Sequence, residues 1–282
     1  MFFLFSCSHS QVPSVVLASE IPTFSIHPGE VIFVSIRLPN SVHSPLMCKD
    51  QEIKFLVEDN KILAFVSESY FSNEKDYTCY FYSQNIKTGE VMNFPALKIT
   101  VEKKEFLKEK LNVNPKKVFL SEKDKLRVKK EQARLNIIYN QSSSELLFHK
   151  GFEVPLSSKI TSIYGTKRIF NNNLETQHLG TDYRASVGVP IPSSNSGRVV
   201  LAEDLFYTGY TVILDHGLGV FTMYGHLSKL FVKKDEFVLQ GQEIGLSGKT
   251  GRASGPHLHW GVKVHKEWVD GDSLVASTRI WN

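Results

Sequence analysis

The segment Gly255-Pro256-His257-Leu258-His259-Trp260 constrains this chain more than any other. Successive side chains of a β-strand point to opposite faces, so residues two apart share a face. His257 and His259 therefore project together, while Leu258, Trp260, Val262 and Val264 make the apolar face of a half-buried strand. Upstream stands His178-Leu179-Gly180-Thr181-Asp182. A four-residue spacing could put His178 and Asp182 on one helix face. Gly180 and the β-branched Thr181 disfavour a helix, so the stretch reads as a loop entering a strand. Two imidazoles and the Asp182 carboxylate make a three-donor set with an open fourth position. That is the pattern of a catalytic zinc rather than a closed structural one.

A chain of 282 residues has room for two domains. Residues 1–18 read as a truncated signal or lipoprotein-like segment. Over 19–103 the pattern is β: Ile53, Phe55 and Val57 alternate with polar residues, as do Leu97, Ile99 and Val101. Runs at Val31–Leu38, Ile62–Val66 and Tyr77–Tyr82 complete six or seven short strands, which predicts a small sandwich of immunoglobulin-like type. Residues 104–150 form a connector. Ser121 with Asp124 three residues on marks a helix start, and the helix extends to about Tyr139. Its apolar stripe, Leu126, Ala133 and Ile137, is narrow and predicts light packing, with Asn140–Ser144 as a hinge. This connector could also lie across a groove. From 151 to 282 glycine-punctuated β segments return, at Val199–Ala202, Thr211–Leu214, Val220–Tyr224 and Glu243–Leu246. With the histidine strand they predict a mainly antiparallel sheet. The fold class is thus mainly β, in two parts joined by a short helix.

From Ile160 to about Val269 the chain resembles the lysostaphin/LytM-type zinc metallopeptidases, which hydrolyse peptide bonds of bacterial peptidoglycan. The resemblance rests on the two histidine motifs and on the blocks between them, in family order. These are Tyr224-Gly225-His226-Leu227-Ser228, Gly241-Gln242-Glu243-Ile244-Gly245 and Gly248-Lys249-Thr250-Gly251. It implies one zinc held by His178, Asp182 and His259, with His226 and His257 facing the metal-bound water as proton carriers or oxyanion donors. Two positions depart from the family pattern. Lys167 stands where an arginine is usual, followed by Arg168, and Gly271 follows Val269-Asp270 in place of a proline. His216 lies in a block away from the metal and reads as structural. His265, near a turn, reads as solvent-exposed, and His9, His27, His43 and His149 as surface residues. Some relatives of this type have lost ligands and act as regulators or activators of other wall hydrolases. That is the alternative to an endopeptidase.

The net charge of +4 is modest and suits an anionic wall. The basic run Lys123–Arg134 is interleaved with acidic residues and lacks aromatics, which argues against nucleic-acid binding. Leu4-Phe5-Ser6-Cys7 resembles the end of a lipoprotein signal, with Cys7 as lipid anchor, although no positive charge precedes it and a phenylalanine occupies the second position. The expectation is an exported protein of the periplasm or cell envelope, with no transmembrane span. Cys48 and Cys79 are either a disulfide formed on that route or two buried thiols.

Overall fold

A computed structural model of the chain describes residues 21–37, 44–84, 88–111, 120–170 and 174–281. Residues 1–18, with Cys7 and the lipid-anchor signal, lie outside the described residues, as do His9 and His43. Among the described residues no helix is long and apolar enough to cross a membrane.

The N-terminal part is built from eight strands: β1 (Thr23–Ile26), β2 (Val31–Arg37), β3 (Leu46–Cys48), β4 (Gln51–Ile53), β5 (Phe55–Glu58), β6 (Lys61–Ser67), β7 (Tyr77–Gln84) and β8 (Val91–Val101). One sheet has the order β1-β8-β7-β3-β4 and the other β2-β6-β5. Strand periodicity explains how they close. Ile32, Val34 and Ile36 of β2 and Ile62, Ala64 and Val66 of β6 face the first sheet and share a core with Leu46, Phe81 and Leu97. Cys48 and Cys79 are register partners on β3 and β7 and form a disulfide, with Cα atoms 4.3 Å apart. This bridge lies within one sheet, whereas the immunoglobulin bridge joins two. The intervening residues of the second sheet, Val31, Phe33 and Phe65, point the other way and enter the core of the C-terminal part.

The connector does not run free. Its first strand, β9 (Lys108–Leu111), belongs to the sheet of the C-terminal part. The helix α1 (Glu122–Tyr139) follows. Ser121 caps it as the sequence predicts, its side chain accepting a hydrogen bond from the Asp124 amide, and Glu122 and Asp124 complement the helix dipole. The apolar stripe read from the sequence is the wrong face. Leu126 and Ile137 are more than half exposed, whereas Leu135, Ile138 and Tyr139 pack on Leu201, Leu205, Ile213, Phe221 and Met223. Ion pairs flank that face: Arg134 with Glu203, and Arg127 with both Glu131 and Asp204. Nor is 140–144 a hinge. Ser142 is buried and donates to Asp215 Oδ1 at 2.6 Å, the Ser143 amide donates to Asp215 Oδ2 at 2.7 Å, and Gly219 N donates to Ser142 Oγ at 2.9 Å. Phe148 and Phe152 then bury almost completely in the C-terminal core.

That core belongs to strands β10 (Ile160–Ser162), β11 (Lys167–Phe170), β12 (Leu174–Gln177), β13 (Thr181–Arg184), β14 (Pro190–Pro192), β15 (Gly197–Leu205), β16 (Gly209–Gly217), β17 (Val220–Leu227), β18 (Lys229–Leu230), β19 (Phe237–Val238), β20 (Glu243–Leu246), β21 (His257–Val264) and β22 (Glu267–Val269). The main sheet runs β10-β13-β21-β17-β16-β15-β19, with β22 paired to β21, and its ladders are antiparallel. Two smaller sheets flank it, β12-β11-β9 and β14-β20-β18. In the first, β9 pairs in parallel with β11.

A last helix, α2 (Gly271–Ser277), seals one side and is capped by Asp270. Gly271 explains the missing proline: a Cβ there would stand 2.3 Å from the Trp260 ring. The first residues of α2 also meet the N-terminal sandwich. Asp270 N donates to Gly29 O at 2.7 Å, and Val31 N donates to Ser273 Oγ at 3.1 Å. His265, expected on the surface, is buried at this junction, where its Nε2 donates to Phe65 O at 3.0 Å. Burial holds its pKa down at about 4, so the ring is neutral there.

Candidate metal centre

Tyr183 on β13 and Leu258 and Trp260 on β21 belong to the core. By alternation Asp182, His257 and His259 take the opposite face. The register β13–β21 places Asp182 opposite His259. His178 opens the loop after β12 and is held by two backbone hydrogen bonds: its amide donates to Thr166 O at 3.0 Å and its carbonyl accepts from Gly165 N at 2.7 Å. Gly180 lets this loop lie against the strand, since a Cβ there would come within 2.5 Å of His259 Cε1.

The result is a convergence of donors. His178 Nε2 is 3.0 Å from Asp182 Oδ1, His259 Nδ1 is 2.8 Å from the same oxygen, and the two imidazole nitrogens are 3.2 Å apart. One ligand atom from each residue lies within 4.8 Å of the others. The far side of His178 fixes its tautomer. Nδ1 donates to Ile163 O at 3.0 Å, which leaves a lone pair on Nε2 facing the cluster. Burial would raise the Asp182 pKa, but the adjoining His178 and His259 imidazoles outweigh it and keep the carboxyl far below its ordinary range. Burial lowers the pKa of His259, against the opposing effect of Asp182. Two imidazoles and one carboxylate, buried and convergent, fit a borderline-soft divalent cation such as zinc.

His226 and His257 border this cluster. Strand alternation would send His226 toward the core, because Tyr224, two residues before it, is a core residue. Its backbone instead adopts a left-handed φ of 61°, which swings the ring to the site face. The two rings lie 4.6 Å apart, and His226 is 6.0 Å from His259. Each ring is anchored through Nδ1: His226 donates to Thr250 O at 2.8 Å and His257 to Gly255 O at 2.8 Å. Nε2 of each is thereby left as the free nitrogen, and that of His257 is 3.7 Å from Asp182 Oδ1. Burial first, and then the neighbouring His259, lower the His226 pKa to about 4. His216, by contrast, lies away from the site. It is bound to Ser196 O at 2.8 Å and to Thr222 Oγ1 at 2.7 Å, a structural role in keeping with its sequence context.

All five residues singled out in the sequence thus meet at one end of one sheet face. The Lys167-Arg168 pair, noted only as a departure, adds another: Arg168 Nη2 stands 3.3 Å from Asp182 Oδ2 and donates to Ser162 Oγ at 2.7 Å. Only the shift of one position from the usual arginine hinted at it.

A mainly antiparallel β sheet with a His/Asp/His cluster on one face defines a metallohydrolase-type domain. Residues 176–271 match the model of Peptidase family M23, so the C-terminal sheet carries a peptidase M23 domain. Over 87 residues the chain is 48% identical to the peptidoglycan DD-endopeptidase ShyA of Vibrio cholerae serotype O1, covering 31% of this chain and 20% of that protein. Over 93 residues it is 41% identical to ShyB of the same organism, covering 33% and 22%. The chain therefore spans about a fifth of the length of these curated relatives. The crystal structure of a Pseudomonas aeruginosa protein assigned provisionally to peptidase M23 matches with a TM-score of 0.62 and 25% identity. It covers 89% of this chain and 95% of that one, so the arrangement of sandwich, connector and sheet recurs there.

Proposed function

We propose that this protein is a zinc-dependent endopeptidase that hydrolyses peptide bonds of bacterial peptidoglycan, with His178, Asp182 and His259 as metal ligands. The observation that carries the reading is the convergence of those three donor atoms, with two further imidazoles presenting Nε2 to the same space. Zinc bound there would supply a Lewis acid and a water of lowered pKa. The chain's own residues do the rest. His178 and His259 would present ring nitrogens to the metal, the first through Nε2 because Ile163 O takes up Nδ1. His226 and His257, anchored the same way, can take a proton at Nε2 and pass it to the leaving amine, or, once protonated, donate from Nε2 to a developing oxyanion. The low pKa of His226 keeps its ring neutral at neutral pH, as a proton acceptor requires.

Peptidoglycan as substrate is supported by the names of the relatives ShyA and ShyB. It would place the protein in the cell envelope or outside the cell; the periplasm and a lipid anchor at Cys7 are part of the same proposal. A non-catalytic regulator is the poorer reading, because all five site residues are present and gathered. The test is zinc content together with the release of peptide fragments from purified sacculi, for wild type and His259→Ala. About one zinc per chain and fragment release by wild type alone are expected. A metal-free wild type, or equal release by both proteins, would overturn the reading.

A further inference from the structure

We propose that Arg168 is a positioning residue that fixes Asp182 to present a single oxygen to the metal. The inference rests on the zinc reading above and concerns how the ligand is held. The two oxygens of Asp182 have separate surroundings. Oδ1 faces His178, His259 and His257, at 3.0, 2.8 and 3.7 Å. Oδ2 turns away from that cluster and meets the Arg168 guanidinium at 3.3 Å. A carboxylate left free on that side could rotate and chelate through both oxygens, or leave the site.

The same Nη2 donates to Ser162 Oγ, and Ser162 Oγ lies 3.2 Å from His178 Nδ1. Arg168 therefore touches the outer side of one ligand directly and of a second through Ser162. Its own backbone is held on both flanks. Arg168 pairs with Thr176 of β12 and with Glu109 of β9, and Lys167 N donates to Leu107 O at 2.8 Å. The guanidinium thus projects from the middle of a three-stranded sheet rather than from a loose loop, and that sheet includes a strand contributed by the connector. Partners behind metal ligands typically govern about 10- to 100-fold in metal affinity. A lysine would bring the charge on a side chain of different length and direction.

The test is the zinc affinity of the full chain, measured by competition with a chromophoric chelator, for wild type, Arg168→Ala, Arg168→Gln and Arg168→Lys. The metal-free melting temperature of each variant serves as the fold control. Alanine and glutamine are expected to weaken zinc binding by about 10- to 100-fold with little change in that melting temperature, and lysine to recover part of the loss. In an Asp182→Asn background, Arg168→Ala should cost much less, because the charged oxygen it holds is gone. Wild-type zinc affinity in Arg168→Gln, or the same loss with Asp182→Asn as without it, would overturn this inference alone. A wild type that takes up no zinc would overturn the metal reading and this inference together.

Discussion

The N-terminal sandwich and the C-terminal sheet both have eight strands, but they solve the problem of burial differently. In the sandwich, two sheets cover each other and a disulfide ties two strands of one of them. The C-terminal sheet is one large layer with two faces to cover. One face receives Phe148 and Phe152, the helix α2 and the outer side of the sandwich itself. Helix α1 covers only part of the other face, over β15, β16 and β17, and the His/Asp cluster occupies the end that α1 leaves. A closed core leaves no room for chemistry, whereas a partly covered sheet supplies a rigid floor on which side chains can be gathered. Among the described residues, the histidine–carboxylate grouping that could hold a metal lies in that sheet and not in the sandwich.

The contrast breaks most readily at Phe148. It lies outside 151–282 yet is 1% exposed in the core of that sheet. Phe148→Ala should destabilise the chain by about 3–5 kcal/mol in urea unfolding. A loss under 1 kcal/mol would restore 151 as the start of an independent unit. We propose instead that the unit begins before β9 and includes the helix. Next comes the sandwich's own device. Replacing both Cys48 and Cys79 by serine should cost about 3–4 kcal/mol for a loop of this length, while leaving zinc uptake by the distant sheet intact. Intact mass with and without reductant first establishes the bridge; two free thiols would refute it. Within the site, His226→Ala should keep its zinc and lose about 100-fold or more in turnover, which corresponds to about 2.7 kcal/mol. Wild-type turnover would remove His226 from the mechanism.

The smallest effect tests the seam between the two parts. The pKa of His265 is about 4 in the folded chain, because burial disfavours the charged ring, against an ordinary value of 6.5. The unfolded chain therefore binds the extra proton first as pH falls. The stability contributed by the neutral ring is complete above about pH 6.5 and is lost progressively as pH falls toward 4. Between pH 7 and pH 5 the loss should be about 2 kcal/mol. A glutamine at position 265, which can still donate to Phe65 O, should flatten that slope relative to wild type. Equal slopes would show that the seam does not exclude the charged ring.

The sequence made local features plain and distant ones opaque. The Ser121 cap was legible because its partner, Asp124, is three residues away. The His178, Asp182, His257 and His259 motifs were legible because strand alternation alone puts the last two on one face. The docked face of α1 was not, because its apolar partners, Leu201 to Met223, lie some sixty residues or more further on. His265 was misread for the same reason, its partner Phe65 being 200 residues upstream. Arg168 was visible as an oddity, but its meeting with Asp182 depends on the path of the chain through β11, β12 and the loop bearing His178. The rotation of His226 onto the site face needs a left-handed backbone, which no period-two pattern foresees.

The position of α1 in the chain has a bearing on synthesis at the ribosome. The helix precedes β15, β16 and β17, so it has left the exit tunnel before the strands whose apolar residues it will cover. Leu201, Ile213, Phe221 and Met223 therefore emerge beside a ready-made lid and need not wait for distant sequence. The sandwich, earlier still, is complete when β21 arrives. A nascent chain of this order keeps its stickiest surface unattended only briefly, and moving α1 to the C-terminus by circular permutation would lengthen that exposure.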